Sequence, residues 1–152
     1  NGEVFDVQYE YEEKEELNSL TKNVLIQNGK YFETLQFSKV LENIWSLVSH
    51  SNKFIDLTKP WTLDAVNDKE RLNSILYELS KSISTIAFLL EPFMPQTSEN
   101  IYKNFNLTSP TTFEGLSGFS KKIKVVEKPS ILFDRLEKEL EIDKIKIKME
   151  RG

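Results

Sequence analysis

Three apolar stripes at helical spacing, the second and third each ended by a proline, limit what this chain can fold into more than any other feature. The second stripe is the cleanest. Phe37, Val40, Leu41, Ile44, Trp45, Val48 and Ile55 recur at intervals of three and four, the spacing that gathers side chains on one face of an α-helix. Pro60 ends this helix by about Thr58, because the residue before a proline resists the helical conformation. The third stripe runs through Leu72, Ile75, Leu76, Leu79, Ile83, Ile86 and Leu90. Residues 64–67 can cap its start, and the corner Pro92-Phe93-Met94-Pro95 stops it. The first stripe, Leu17, Leu20, Val24, Tyr31 and Leu35, begins near Tyr11 with acids in its first turns, where the helix dipole favours negative charge. Asn28-Gly29 interrupts it, and a glycine costs a helix about 1 kcal/mol. The phase resumes afterwards, so one helix is expected to about Thr34. A shorter helix begins near Thr97 or Ser98, with Ile101, Tyr102 and Phe105 on its inner side.

Outside the stripes the pattern is different. Residues 1–9 read as extended. Residues 106–120 are rich in Ser, Thr, Gly and Pro and read as loop. Residues 122–127 alternate and suit a short strand. Residues 129–133 form a compact apolar clamp, and residues 135–148 read as a charged helix or frayed tail. The fold expected is all-α: an antiparallel helical bundle over about 10–105, with a loop-rich C-terminal tail over about 106–152. At 152 residues the chain is one domain, long enough to bury a core.

Composition excludes several kinds of chemistry. There is no cysteine and one histidine, His50, which removes disulfides, thiolate catalysis and a Cys/His zinc site. His50 reads as a helix residue at the bundle edge. No glycine-rich phosphate loop occurs, and the carboxylates Glu10, Glu12 and Glu16 read as surface rather than a paired acid and base. No apolar run approaches a membrane span and no leader opens the chain, so no membrane contact and a reducing, cytoplasmic setting are expected. The net charge of −4 argues against sequence-blind binding to phosphates. The charge is uneven: residues 1–20 hold seven acids against Lys14, and residues 121–152 hold ten Lys/Arg against seven Asp/Glu. Both ends read as solvated surface.

The stretch "NKFIDLTKPWTL", residues 52–63, is where function enters. Trp61 follows a proline that has just ended a helix. It has two readings, and the residues alone favour the first. As a core plug, it folds back onto the bundle. As a platform, it is pre-set by Pro60 and offers its face to an unstacked base, a contact worth about 1–3 kcal/mol that needs no positive charge.

The same stretch, followed by "RLNSILYELSKSISTIAFLLEPFMPQTSENIY" and preceded by "FSKVLENIWSLVSHSNKFID", resembles the C-terminal anticodon-binding domain of the methionyl-tRNA synthetases. Downstream, "PSILFDRLEKE" is similar to a segment of that family in which a proline usually stands at Asp134. The opening "NGEVFD" looks like the stretch just after that domain's first helix. The similarity covers about residues 1–141. The proline corner is shared with other class I synthetases, whereas the Asn-Lys-Phe-Ile-Asp…Lys-Pro-Trp run is much more specific to the methionine enzyme.

The resemblance implies a role in tRNA recognition, within a ligase that attaches methionine to tRNA using ATP. In that family a tryptophan stacks on an anticodon base beside a proline; by position these are Trp61 and Pro60. Asn52 and Lys53 stand close enough in sequence to add polar contacts. The implied partners are the methionine tRNA with its CAU anticodon and a catalytic domain of the same chain. The catalytic motifs His-Ile-Gly-His and Lys-Met-Ser-Lys-Ser are absent, so residues 1–152 are expected to carry no catalytic residue, no metal and no cofactor of their own. ATP, and any zinc, would belong to the catalytic domain. "IKMERG" near the end lacks the serines and second lysine of the latter motif. The resemblance also places one bundle helix, with an Asn and an Arg of the site, upstream of Asn1. Without it an apolar groove is expected, to be covered by residues 1–9, by the C-terminal tail or by self-association of two copies. Two rival readings remain: the equivalent domain of another class I synthetase, and a helical protein-interaction module with no RNA role.

Overall fold

The computed structural model describes residues 3–110 and 122–124. A short strand β1 (Glu3–Phe5) is followed by α1 (Glu12–Glu33), α2 (Phe37–Thr58), a single 3₁₀ turn (Pro60–Thr62), α3 (Lys69–Leu90), α4 (Pro95–Asn104) and a second strand β2 (Lys122–Lys124). The three long helices have 22 residues each, about 33 Å at 1.5 Å per residue. They pack on one another pairwise, and α4 lies against α3. The helical bundle expected from the stripes is present. The expected clamp over 129–133 and the expected tail helix over 135–148 lie outside the described residues.

The helix ends follow from local chemistry. Tyr11, extended at φ −159°, precedes α1, and Glu12, Glu13 and Glu15 fill its first turn. Gly29 lies inside an unbroken α1. The helix closes as the Gln36 N–H reaches the Tyr31 carbonyl at 2.8 Å, with Leu35 left-handed at φ 56°. Only three residues separate α1 from α2, which makes an αα-hairpin. After α3, the Phe93 and Met94 N–H groups both return to the Leu90 carbonyl, and Pro95 opens α4, a position where its missing N–H costs nothing.

The main core gathers Leu17 and Val24 of α1, Val40, Ile44, Leu47 and Phe54 of α2, and Ile75, Leu79, Ile86, Leu89 and Leu90 of α3. Four residues of the expected stripes face outward instead: Leu35, Phe37, Trp45 and Leu76 are 71%, 46%, 56% and 38% exposed. In α2 the buried face is Val40, Ile44, Leu47, Ser51, Phe54 and Thr58, which turns Trp45 to solvent. Ser51 and Thr58 bury without penalty because each hydroxyl donates to the carbonyl four residues back, at 2.8 and 2.7 Å. Ser51 also meets Ser82 of α3 at 2.7 Å, so two small side chains let these helices approach closely.

A second, smaller core forms where β1 and β2 pair antiparallel, with Val4 opposite Ile123. Val4, Ile123 and Tyr77 of α3 bury together there. Residues 3–9 thus lie on α3, one of the coverings anticipated for the bundle. The Asn73 amide fixes them: its Oδ1 accepts from the Phe5 N–H at 3.1 Å and its Nδ2 donates to the Phe5 carbonyl at 3.0 Å. Beside this seam Glu78 is buried between Lys81, at 3.0 Å, and Lys14, at 4.0 Å. Lys14 also reaches Glu10 and the Tyr9 carbonyl, each at 3.2 Å. None of the described helices is long and apolar enough to cross a membrane.

Candidate nucleic-acid interface

The corner between α2 and α3 is built from short-range hydrogen bonds. Thr58, buried, is the last residue of α2. Lys59 then turns left-handed, at φ 44° and ψ 59°, while its N–H still reaches the Ile55 carbonyl at 2.9 Å. A left-handed non-glycine residue costs roughly 1–2 kcal/mol, and a following proline disfavours it further. The Lys59 carbonyl recovers part of that cost by accepting twice from Thr62, from the N–H at 2.9 Å and from Oγ1 at 2.8 Å. Pro60, Trp61 and Thr62 form the 3₁₀ turn. Leu63 next packs against the main core.

A second turn follows immediately. Asp64 Oδ1 accepts from the N–H groups of Val66 at 2.9 Å and Asn67 at 2.7 Å. The Asn67 bond first, and the Val66 bond with it, hold the Asp64 carboxyl below its ordinary pKa. The Asp64 N–H donates to Asp68 Oδ2 at 3.0 Å, and the Asp68 N–H returns to the Asp64 carbonyl at 2.9 Å. Residues 64–67 therefore close a turn of their own rather than cap α3, which starts at Lys69 with Asp68 at its cap position.

Trp61 projects from this corner 65% exposed. Among the described residues its indole has no hydrogen-bond, ring or cation partner. It is not a plug for the core. An aromatic side chain offers 150–250 Å² for burial, so leaving about two-thirds of it wet forgoes roughly 3 kcal/mol at 25 cal/mol per Å². Leu57, 50% exposed, and Val66, 82% exposed, stand on either side of it in sequence.

The other sequence-predicted positions fall differently. Pro60 is half-buried and begins the turn that carries Trp61. Asn52 is exposed on α2, seven residues after Trp45 and therefore on the same face. Lys53 is turned toward α1, where its Nζ meets Glu16 Oε1 at 3.5 Å. It lines a small cleft with Glu13, Glu16, His50 and Leu57, on a different side of α2 from Asn52. His50 Nδ1 donates to the Ser46 carbonyl at 2.9 Å, a helix-edge residue tied to its own backbone. Among the described residues no cluster of three or more His, Cys, Asp or Glu could hold a metal.

Charge does not dominate the corner. Over residues 52–70 the lysines 53, 59 and 69 face the carboxylates of Asp56, Asp64, Asp68 and Glu70. What the surface offers is an aromatic face on a rigid turn, with scattered polar groups. That combination suits stacking on a flat ligand better than broad attraction to phosphates. Sequence reasoning missed the exposed Trp45 and the paired turns at Thr62 and Asp64. The signal for the second turn was present, since Asp at the start of a polar tetrad commonly bonds its own backbone two residues on.

Comparison with known proteins places the chain in a family. Residues 14–150 match the family described as the anticodon-binding domain of tRNA ligase. A methionine–tRNA ligase of Caldanaerobacter subterraneus subsp. tengcongensis is 37% identical over 139 residues, covering 90% of this chain and 22% of that protein. The methionine–tRNA ligase of Bacillus subtilis is 35% identical over 139 residues, covering 88% and 21%. The chain thus spans about a fifth of the length of the curated relatives it matches. In fold, it superposes on the free-state crystal structure of Mycobacterium tuberculosis methionyl-tRNA synthetase with a TM-score of 0.78 at 20% identity, covering 90% of this chain and 28% of that one.

Proposed function

The chain belongs to the anticodon-binding domain family of tRNA ligases, its relatives being methionine–tRNA ligases, and we propose that its Trp61 corner reads the CAU anticodon of the methionine tRNA. The observation that carries this is Trp61 itself, 65% exposed on a turn closed by the Thr62 and Leu63 N–H groups, which reach the Lys59 and Pro60 carbonyls. An unstacked anticodon base lies against the indole face. Pro60 sets the direction of the turn, and Asn52, on the outward face of α2, supplies polar contacts to the same loop. Lys53 contributes its charge once it leaves Glu16. Phosphate contacts position the tRNA, and stacking with hydrogen bonds to base edges specifies it. The ligase carrying this domain activates methionine with ATP in a catalytic domain of the same chain and works in the cytoplasm. Apolar surface left open on the isolated domain, as at Trp45 and Leu76, suits packing against the rest of that chain or self-association.

The test compares two reactions of the full-length ligase. Methionine-dependent exchange of pyrophosphate into ATP needs no tRNA, whereas aminoacylation does. Trp61→Ala is expected to lower kcat/KM for tRNA by about fivefold to hundredfold, the equivalent of one lost stack, and to leave exchange unchanged. Equal losses in both reactions would refute the reading. The wild-type enzyme should charge transcripts with another anticodon less well than CAU transcripts, through the lost hydrogen bonds to base edges, since stacking itself tolerates any base.

A further inference from the structure

We propose that Thr62 and Asp64 are positioning residues that hold the corner as a double clasp, so that Trp61 meets its base already in the bound geometry. This rests on the reading that Trp61 stacks on an anticodon base, and it adds how that stack is prepared.

The turn is locked on both sides of Trp61 while its ring is left free. On the N-terminal side Lys59 holds a left-handed conformation at φ 44° that both its Cβ and the following proline oppose. Such a conformation persists only where its surroundings over-determine it. The two bonds from Thr62 to the Lys59 carbonyl do this, and one of them comes from the side chain, at 2.8 Å. On the C-terminal side the Asp64 carboxylate gathers the Val66 and Asn67 N–H groups, and Asp68 takes the Asp64 N–H. Leu63, between the clasps, is anchored in the core. Packing of the bundle accounts for Leu63 but not for Trp61, whose ring stays 65% exposed. A strained backbone held rigid under an unpacked aromatic side chain is expected where a ligand supplies the missing packing. Rigidity in the free state removes most of the ordering cost of binding.

A double-mutant cycle in the full-length ligase tests this, read as KM for tRNA and kcat of aminoacylation. Thr62→Val keeps the shape and removes the hydroxyl. It should raise KM for tRNA about threefold to tenfold, the range of one lost hydrogen bond, with little change in kcat. Thr62→Ser, which keeps the hydroxyl, should restore KM. In a Trp61→Ala background Thr62→Val should change KM less than about twofold, since the clasp then has nothing to position. Asp64→Ala, with Asp64→Asn as its rescue, repeats the cycle from the other side and serves if a Thr62 variant melts early. A loss from Thr62→Val as large without Trp61 as with it would overturn the inference, as would no loss in either cycle while Trp61→Ala still weakens tRNA binding. If Trp61→Ala itself leaves tRNA binding intact, the stacking reading fails, and the clasp inference with it.

Discussion

Glu78 offers the sharpest test of how the bundle is held beside its N-terminal segment. Its side chain is 4% exposed and lies 3.0 Å from Lys81 and 4.0 Å from Lys14. At an effective dielectric constant near 20, each contact is worth roughly 4–6 kcal/mol of gross attraction. Desolvation of the carboxylate offsets most of that. What Glu78→Ala changes is therefore decided by the partners left behind. Lys81, with a third of its side chain exposed, can turn to water. Lys14, 10% exposed, cannot, and among the described residues keeps Glu10 and the Tyr9 carbonyl. Breaking a buried pair from one side costs 3–5 kcal/mol in general; with Glu10 still in reach, about 2–4 is expected here. That corresponds to a melting point lower by roughly 5–15 °C for a domain of this size. The pair replaced together, Lys14→Met with Glu78→Leu, should recover most of the loss, because no uncompensated charge is then buried. Thermal melting followed by circular dichroism measures Glu78→Ala, the singles Lys14→Met and Glu78→Leu, and the double variant. A double variant as unstable as the sum of the two singles would refute the argument, and so would a Glu78→Ala protein that melts with the wild type.

Two further outcomes follow from the packing and the buried hydroxyls. Ile44→Ala, at a fully buried position shared by the long helices, should cost about 2–5 kcal/mol in urea unfolding, whereas Trp45→Ala next to it should stay within about 0.5 kcal/mol. Tyr102, buried with its hydroxyl donating to the Ser84 carbonyl at 3.0 Å, has its phenol pushed up to about 12, chiefly by burial. The folded chain then keeps a proton that the unfolded chain releases near pH 10, so its stabilising contribution is complete below pH 10 and is lost as pH rises toward 12. Tyr11 and Tyr77 shift the same way, also chiefly by burial. Unfolding measured at pH 9 and pH 11 should show the decline, and Tyr102→Phe should flatten part of it.

Much of the bundle was legible because prolines and apolar spacing act locally. The ends of α2 and α3 fall where Pro60 and Pro92 require, and the phase of α1 carries it through Gly29. The face of α2 was read correctly at Val40, Leu41, Ile44, Val48 and Ile55 but extended too far, to Phe37 and Trp45. Leu41, Ile44, Trp45 and Val48 have helical spacing, but the buried face runs through Ser51 and Thr58, small polar residues that an apolar stripe omits. Their hydroxyls bond to their own helix, and that makes them burial-competent. In α3, Ser80 and Thr85 are buried with the same bond to their own helix, while Ser74 reaches the Tyr9 carbonyl and Ser82 meets Ser51; a helix flanked on several sides has little outer face. The pairing of β1 with β2 joins residues about 120 apart in sequence, and no local signal encodes it. At the site, the residues alone favoured a core plug for Trp61, and only the family resemblance pointed to a platform. The choice depends on Lys59 adopting a conformation that its own sequence context disfavours. The turn made by Asp64 was mistaken for a helix cap because both use the same side chain to accept backbone N–H groups.

The central claim is that Trp61 binds a base by its face, and the affinity of the full-length ligase for a CAU anticodon hairpin tests it most directly. Wild type, Trp61→Phe and Trp61→Ala should be titrated at low and at moderate salt. Stacking predicts that Trp61→Ala weakens binding about fivefold to hundredfold, that Trp61→Phe retains part of the difference, and that the ratio of wild type to Trp61→Ala is nearly the same at both salt concentrations, because no phosphate contact is removed. Equal affinity for wild type and Trp61→Ala, with the fold intact by melting, would contradict the account.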